Sequence, residues 1–125
     1  MPRNPVILST DGTEAMRETL AQALSGTPYD LVTAESGPEV LVRAHEIRPD
    51  LVLLDLNLPV VDGLRVIGML ASEAATAETP IVALDDSGDD SEAARALGAG
   101  AAFYLQKPVL PQEARAVIRR LLGLP

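Results

Sequence analysis

The residues best suited to chemistry in this sequence are an acid and a lysine that each follow a short apolar run. Asp55 comes directly after Leu51-Val52-Leu53-Leu54, where an ionised carboxylate needs a cation, hydrogen bonds or solvent. Lys107 is the only lysine beside nine arginines, and its compact ammonium suits a carboxylate or a phosphate oxygen. Pro108 can hold the turn, in the cis form where the geometry is tight, and so direct that ammonium. Taken alone, Asp55 could cap an ordinary strand end and Lys107 could simply face solvent.

Short apolar runs alternate with segments of helical period along the chain, which is typical of a parallel sheet covered by helices on both faces. The predicted strands are Val6–Thr10, Tyr29–Ala34, Asp50–Asp55, Pro80–Leu84 and Ala101–Leu105. The predicted helices are Thr13–Leu24, Pro38–Ile47, Leu64–Ser72, Asp89–Leu97 and Pro111–Leu122. With right-handed crossovers, this pattern predicts an α/β fold: a five-stranded, parallel, doubly wound sheet of order 2-1-3-4-5 with five helices.

The predicted sheet would bring the chemically suited residues to one edge. In such sheets ligands bind outside the carboxyl ends of the strands, where the winding reverses between strands one and three. Asp11 and Asp55 follow those two strands, Asp85 and Asp86 follow strand four, and Lys107 follows strand five. The sequence therefore predicts that acids from three strands and one ammonium meet at a single rim.

The composition limits the classes of function. From the length of 125 residues we expect one domain without an attached output domain. A net charge of −8 with scattered basic residues predicts that the chain binds neither nucleic acid nor an anionic membrane. The absence of cysteine excludes disulfides and thiolate metal sites. With no apolar run long enough for a membrane span or a secretory signal, we expect a cytoplasmic location.

Three segments resemble the response-regulator receiver domain, the phosphorylated switch of two-component signalling. They are Pro49–Asp55, Leu58-Pro59 with Asp62-Gly63, and Gly98–Pro108, and the resemblance covers residues 1–125 as a single receiver domain. It implies that Asp55 accepts a phosphoryl group from a histidine kinase or a phosphotransfer protein. It also implies that Lys107 contacts the phosphoryl oxygens and that Tyr104 reorients when the switch turns on. Such a protein is a phosphoacceptor that supports its own phosphorylation and dephosphorylation, and not an enzyme.

The resemblance also implies a Mg²⁺ site beside the acceptor. Asp11, Asp55 and the backbone carbonyl of Asn57 match the metal ligands of the family, and water would complete the oxygen set. A divalent cation and Lys107 would together offset the charge that gathers on the phosphoryl oxygens when a carboxylate attacks them.

Two positions depart from the family's pattern. A gapless match through Arg17 places Gly12 at the second acid of the family's acidic pair, which predicts weak Mg²⁺ binding; a match shifted by one residue would restore the acid. Counted back from Lys107, Asp85 falls at a switch position where the family has a Ser or Thr that donates to the phosphoryl group. An ionised Asp cannot donate, and each unit-charge pair at 4 Å costs about 4 kcal/mol at an effective dielectric of 20. Phosphorylation is therefore expected to be disfavoured unless Asp85 points away or is protonated.

Two other functions stay open at this point. One is a degenerate receiver that binds partners without being phosphorylated, with Asp85 as a standing negative charge near Lys107. The other is a flavodoxin-like electron carrier, because Ser9–Glu14 resembles a flavodoxin phosphate loop. The lack of Trp and the few aromatic residues available to stack on a flavin argue against the carrier.

Without an output domain, a signal would have to leave through contact with another protein. The resemblance places that contact on the face formed by the fourth helix, fifth strand and fifth helix. Tyr104, Arg95 and Arg115 or Arg119 are predicted on or near this face.

Overall fold

The computed structural model describes residues 3–125 and shows five strands that alternate with five helices. The strands are β1 (Val6–Ser9), β2 (Asp30–Thr33), β3 (Leu51–Asp55), β4 (Ile81–Asp85) and β5 (Phe103–Gln106). The helices are α1 (Glu14–Ala23), α2 (Gly37–Ile47), α3 (Gly63–Ser72), α4 (Asp90–Ala99) and α5 (Pro111–Leu121). Every predicted element is present, and its ends lie within about two residues of the expected ones.

The five strands form one parallel sheet of order β2-β1-β3-β4-β5, which confirms the predicted doubly wound fold. Ile7 of β1 pairs with Leu51 of β3, and Asp55 at the end of β3 pairs with Leu84 of β4. Because the winding reverses between β1 and β3, the connections leave these two strands in opposite directions and open a cleft at their carboxyl ends.

The apolar run in β3 is continuous because helices cover both faces of the sheet. Leu51 and Leu53 pack into the cluster beneath α1 and α5, together with Leu20 and Ile118. Val52 and Leu54, which alternate with these residues along β3, pack into the opposite cluster beneath α2, α3 and α4. Both layers of core therefore hold the strand that ends in Asp55.

Local features fix where the helices begin near the carboxyl edge of the sheet. The Thr13 side chain caps α1, and the Asp62 side chain caps α3 by accepting from the Arg65 amide. Gly63 opens α3 because a Cβ there would clash with the backbone of Asp55 and Leu56. The start of α3 therefore lies directly against the end of β3.

Among residues 3–125, no helix combines the length and the apolar character that crossing a bilayer requires.

Candidate functional site

A partly buried ion-pair cluster lies where β1, β3 and β5 end. The Nζ atom of Lys107 lies 2.8 Å from Oδ1 of Asp55 and 3.1 Å from Oδ2 of Asp11. The three side chains are 25%, 18% and 7% exposed, in that order. The structure thus brings together one acid from the end of β3, one from the loop after β1 and the ammonium that follows β5. We call these three residues and Thr10, described below, the Asp55 cluster.

The charges in this cluster stabilise one another. Burial alone would lower the pKa of Lys107, but the hydrogen bond to Asp55 and the pairing with Asp11 outweigh burial and hold that pKa above its usual value. Burial likewise acts to raise the pKa of Asp11, yet its bonds from Thr13 and from Lys107 keep that pKa below its usual value. The ammonium and the Asp11 carboxylate are therefore both charged at neutral pH.

Asp11 is held by the loop that joins β1 to α1. Its Oδ1 accepts from the amide of Thr13 at 3.0 Å and from the Thr13 hydroxyl at 2.7 Å. Its amide donates to the Ser9 hydroxyl at 3.1 Å, and that hydroxyl donates back to the Asp11 carbonyl at 3.0 Å. These bonds leave Oδ2 of Asp11 for Lys107.

Thr10 is a site residue that the sequence analysis missed. Its hydroxyl oxygen accepts from the Asp55 amide at 2.8 Å, and the hydroxyl donates to Oδ2 of Asp55 at 2.9 Å. Each oxygen of the Asp55 carboxylate therefore has one donor, Lys107 on Oδ1 and Thr10 on Oδ2. The sequence feature that could have identified Thr10 is its position as a polar residue directly before Asp11, at the end of an apolar strand.

The oxygen atoms around Asp55 suit a hard cation, although few of them are charged. Asp11 and Asp55 are the two carboxylates, and the Asn57 backbone carbonyl makes no hydrogen bond within the part of the chain that the structure describes. Across residues 3–125 no group of three or more acidic or histidine side chains could hold a metal ion. Gly12 supplies no side-chain oxygen, and a Cβ there would lie 3.1 Å from the Thr33 methyl Cγ2.

A cleft of about 410 Å³ opens beside the cluster. Asp11 and Lys107 line it together with Asp86, Thr13 and Pro108. The peptide bond between Lys107 and Pro108 is cis, one of the two forms that the sequence analysis allowed. The cleft gives a small anionic group access to the ammonium from solvent.

Asp85 lies at the end of β4 in a different set of contacts. Asp85 is only 6% exposed. Its Oδ2 accepts from the Ser87 hydroxyl at 2.5 Å and from the Tyr104 hydroxyl at 3.1 Å. Burial raises the pKa of Tyr104, and the adjacent carboxylate raises it further, so the phenol stays protonated and donates. We call Asp85, Ser87 and Tyr104 the Asp85 cluster.

Asp85 forms no ion pair with Lys107 among the residues that the structure describes, although a standing charge on Lys107 would require one. The carboxylates that lie within 4 Å of the ammonium, in residues 3–125, belong to Asp11 and Asp55. Asp85 meets Lys107 only through the backbone, where the Lys107 amide donates to the Asp85 carbonyl at 2.8 Å. The Asp85 carboxylate instead accepts from Ser87 in the loop after β4 and from Tyr104 on the neighbouring β5.

The arginines that were predicted to lie on the output face differ in their exposure and in their contacts. Arg95 on α4 is 58% exposed and pairs with Glu92 one helical turn away. Arg115 on α5 is exposed. Arg119 instead donates from Nε to the Pro125 carbonyl at 2.7 Å and from Nη1 toward the Ala23 carbonyl at 3.4 Å. Arg119 therefore joins α5 to the end of α1.

The chain resembles known proteins in both sequence and structure. It matches the family model of the response regulator receiver domain over residues 7–119. It is 39% identical over 116 residues to response regulator MprA of Mycobacterium leprae (strain TN), which covers 93% of this chain and 50% of MprA. A solved structure from Chloroflexus aurantiacus J-10-fl, described as a response regulator, matches with a TM-score of 0.85 at 30% identity over 97% of this chain and 99% of that one. The phosphorylated cyanobacterial phytochrome response regulator RcpA matches with a TM-score of 0.80 at 26% identity, over 97% and 96% of the two chains.

The matched region includes all the elements that form the site. The family model extends from β1 into α5 and so contains both the Asp55 cluster and the Asp85 cluster. The chain spans about half the length of the curated relatives that it matches.

Proposed function

Because this chain belongs to the response regulator receiver domain family, we propose that it accepts a phosphoryl group on Asp55. Receiver domains are the phosphoacceptor switches of two-component systems and signal by changing shape, not by turning over an external substrate. One observation carries the choice of acceptor: Oδ1 of Asp55 lies 2.8 Å from the only lysine, at the strand ends where the winding reverses. No observation favours the degenerate receiver or the electron carrier.

The residues of the Asp55 cluster have complementary parts in this transfer. A carboxylate oxygen of Asp55 forms the new bond to phosphorus while the bond from phosphorus to the donor breaks, and the donor leaves with its electron pair. Lys107 already neutralises Asp55, and the same ammonium can follow the charge as it moves onto the phosphoryl oxygens. Asp11 keeps Lys107 oriented from its other side.

Receiver domains bind Mg²⁺ at their acidic pocket, and the oxygen donors present here suit that ion. We propose that Asp11, Asp55 and the Asn57 carbonyl would hold it. When bound, Mg²⁺ would supply positive charge in addition to Lys107 and so lower the repulsion between the acceptor and the phosphoryl group. Since Gly12 adds no carboxylate, the affinity for Mg²⁺ is expected to be low.

The contacts of Asp85 support phosphorylation of Asp55. The carboxylate binds Ser87 and Tyr104 and forms no ion pair with Lys107, so its charge is partly compensated away from the acceptor. The end of β4 nevertheless lacks the hydroxyl that the family uses to bind the phosphoryl group. We therefore expect phosphorylation to be coupled only weakly to Tyr104.

The partners follow from the family only in outline. Response regulators act with histidine kinases, and we propose that a histidine kinase or a phosphotransfer protein supplies the phosphoryl group to this chain. We further propose that the face of α4, β5 and α5 carries the signal to a downstream protein. Exposed side chains support this choice, because Arg95 on α4 and Arg115 on α5 are both exposed, while Arg119 is bound to the end of α1.

The acceptor can be tested with acetyl phosphate and Mg²⁺, with intact mass as the readout. We expect the native chain to gain one phosphoryl group and Asp55→Asn to gain none, because an amide is a poor nucleophile. Asp62→Asn is the matched control: it alters an exposed acid in the loop after the same strand, and Asn caps a helix as well as Asp does. Equal labelling of the native chain and of Asp55→Asn would contradict the proposal.

A further inference from the structure

We propose that the Thr10 hydroxyl is a positioning group that shortens the lifetime of the phosphoryl group on Asp55. The inference rests on the proposed function, because it concerns the same acceptor. It goes beyond that function by giving a role in dephosphorylation to a residue outside the acid and lysine set. The carrying observation is the pair of hydrogen bonds that join Thr10 to both the backbone and the carboxylate of Asp55.

The two bonds determine the direction of the hydroxyl proton. The Thr10 oxygen accepts from the Asp55 amide, at 2.8 Å. An ionised carboxylate can only accept, so the Thr10 proton must be the one that lies between its oxygen and Oδ2 of Asp55, at 2.9 Å. Because Thr10 directly follows β1 and Asp55 ends the neighbouring β3, the backbone of two paired strands holds this geometry.

The two carboxylate oxygens are therefore not equivalent. Oδ1 lies beside Lys107, whose ammonium can offset phosphoryl charge, so we assign the attack on phosphorus to Oδ1. Oδ2 then becomes the carbonyl oxygen of the acyl phosphate, and Thr10 donates to that carbonyl. The hydrogen bond persists in both states, but its acceptor is charged in one and neutral in the other.

Hydrolysis of the acyl phosphate returns charge to Oδ2. Water attacks phosphorus, the bond between Oδ1 and phosphorus breaks, and its electron pair goes back to the Asp55 carboxylate while the water proton passes to solvent. Hydrogen bonds to charged acceptors are stronger than those to neutral ones. Thr10 consequently stabilises the departing carboxylate more than the acyl phosphate, and this difference speeds hydrolysis.

The test compares Thr10 variants that keep or lose the hydroxyl. Thr10→Val has nearly the same shape without the donor, whereas Thr10→Ser keeps the donor. The chains are labelled with acetyl phosphate, separated from it, and followed by intact mass. We expect Thr10→Val to hold its phosphoryl group about fivefold longer than the native chain. The reason is that a hydrogen bond to a charged acceptor is stronger than one to a neutral acceptor, by an amount that corresponds to about this change in rate. Thr10→Ser should match the native lifetime.

A control removes a hydroxyl that is more deeply buried than that of Thr10, in another part of the fold. Thr76 is 2% exposed and donates to the Leu70 carbonyl at 2.7 Å, at the end of α3. Thr76→Val should lower the melting temperature without changing the phosphoryl lifetime. If Thr10→Val does not fold, Thr10→Ala serves in its place with the same expected lifetime.

A second readout does not depend on phosphorylation. Removing the Thr10 hydroxyl takes the acceptor from the Asp55 amide, so hydrogen exchange at that amide should speed up in Thr10→Val and stay native in Thr10→Ser. Equal lifetimes in the native chain and Thr10→Val, or a lengthened lifetime in Thr10→Ser as well, would overturn this inference alone. Failure of the native chain to label at all would overturn the proposed function and this inference with it.

Discussion

Asp55 and Asp85 are the last residues of neighbouring strands, yet their surroundings differ in kind. In the Asp55 cluster the carboxylate faces an ammonium and one hydroxyl, beside a cleft open to solvent. In the Asp85 cluster the carboxylate is buried and accepts from two hydroxyls. The same side chain at the same place on adjacent strands is thus prepared for chemistry in one case and for holding Tyr104 in the other.

The difference shows that partners, more than position, decide what a strand-end acid can do. An ammonium can follow charge from a carboxylate to a phosphoryl group, so the Asp55 cluster can change its charge without losing its neutralisation. Hydroxyl donors neutralise a carboxylate less and fix its direction more. The Asp85 cluster therefore holds Tyr104 through a hydrogen bond, whereas a hydroxyl at position 85 would be able to bind a phosphoryl group.

The strongest test exchanges the two departures for the residues of the family. Gly12→Asp with Asp85→Thr should take up phosphate from acetyl phosphate in Mg²⁺ about tenfold faster than the native chain, because one change adds a metal ligand and the other removes a charge. Both act on the same phosphoryl group, so their effects should be coupled and not additive. Gly12→Asp alone should also tighten Mg²⁺ binding in a titration.

Two controls accompany this double substitution. Adding Asp55→Asn should abolish the uptake. Adding Thr33→Ser should improve it, because the methyl that lies 3.1 Å from a Cβ at position 12 is then gone. Fast labelling of the native chain that neither change alters would show that the departures are without effect.

A second test measures how firmly the Asp85 cluster holds its aromatic side chain. Tyr104→Phe removes one of two donors to a buried carboxylate and should lower the free energy of unfolding by about 1–2 kcal/mol in urea titrations. Tyr29→Phe is the control, because Tyr29 is half-buried and its hydroxyl makes no hydrogen bond within residues 3–125. In an Asp85→Ala background the cost of Tyr104→Phe should nearly vanish. An unchanged cost there would show that the bond to Asp85 contributes nothing.

A third test compares the loops that follow β3 and β4. Gly88, in the loop after β4, has a φ of 65°, and Val60, in the loop after β3, has a φ of 73°. Both residues therefore adopt a left-handed backbone conformation, which glycine tolerates and a β-branched residue such as valine does not favour. Val60 is also 86% exposed, so little packing is lost with its side chain. Val60→Gly should raise the free energy of unfolding by about 0.5–1 kcal/mol. Val60→Ala should have a smaller effect. If Val60→Ala stabilised the fold as much as Val60→Gly does, backbone strain would be excluded as the cause.

The smallest expected effect concerns an exposed ion pair far from both clusters. His45 lies 2.8 Å from the Leu41 carbonyl through Nδ1 and 2.5 Å from Glu73 through Nε2. The Leu41 carbonyl first, and then Glu73, raise the pKa of His45. A raised pKa stabilises the fold below the unfolded value of about 6.5, and this contribution is lost as the pH rises through the folded pKa.

The measurement for His45 is the melting temperature between about pH 5.5 and pH 8.5. The native chain should lose a little more stability over this range than Glu73→Gln, which keeps the shape and removes the charge. Identical pH profiles would mean that the pair contributes nothing, as many exposed pairs do.

The sequence was enough to predict the fold because the relevant signals are local and repeated. Alternating apolar runs and helical segments define five strand and helix pairs, and handedness then leaves few topologies. Asp11, Asp55 and Lys107 could be placed at one rim because each follows a strand of a parallel sheet. The departures at Gly12 and Asp85 stay predictions, because they depend on how the sequence is matched to the family's pattern.

The sequence by itself determined the doubly wound sheet and the set of acids and lysine at its carboxyl edge, since periodicity and the order of strand ends are written in consecutive residues. Only the tertiary structure decided which partner each acid has. Thr10 meets Asp55 across 45 residues, and Tyr104 meets Asp85 across 19. Such pairings depend on side-chain directions at the ends of neighbouring strands, where a shift of one residue reverses the face. That is why the contacts of Asp85 could not be predicted and the hydroxyl on Asp55 was missed.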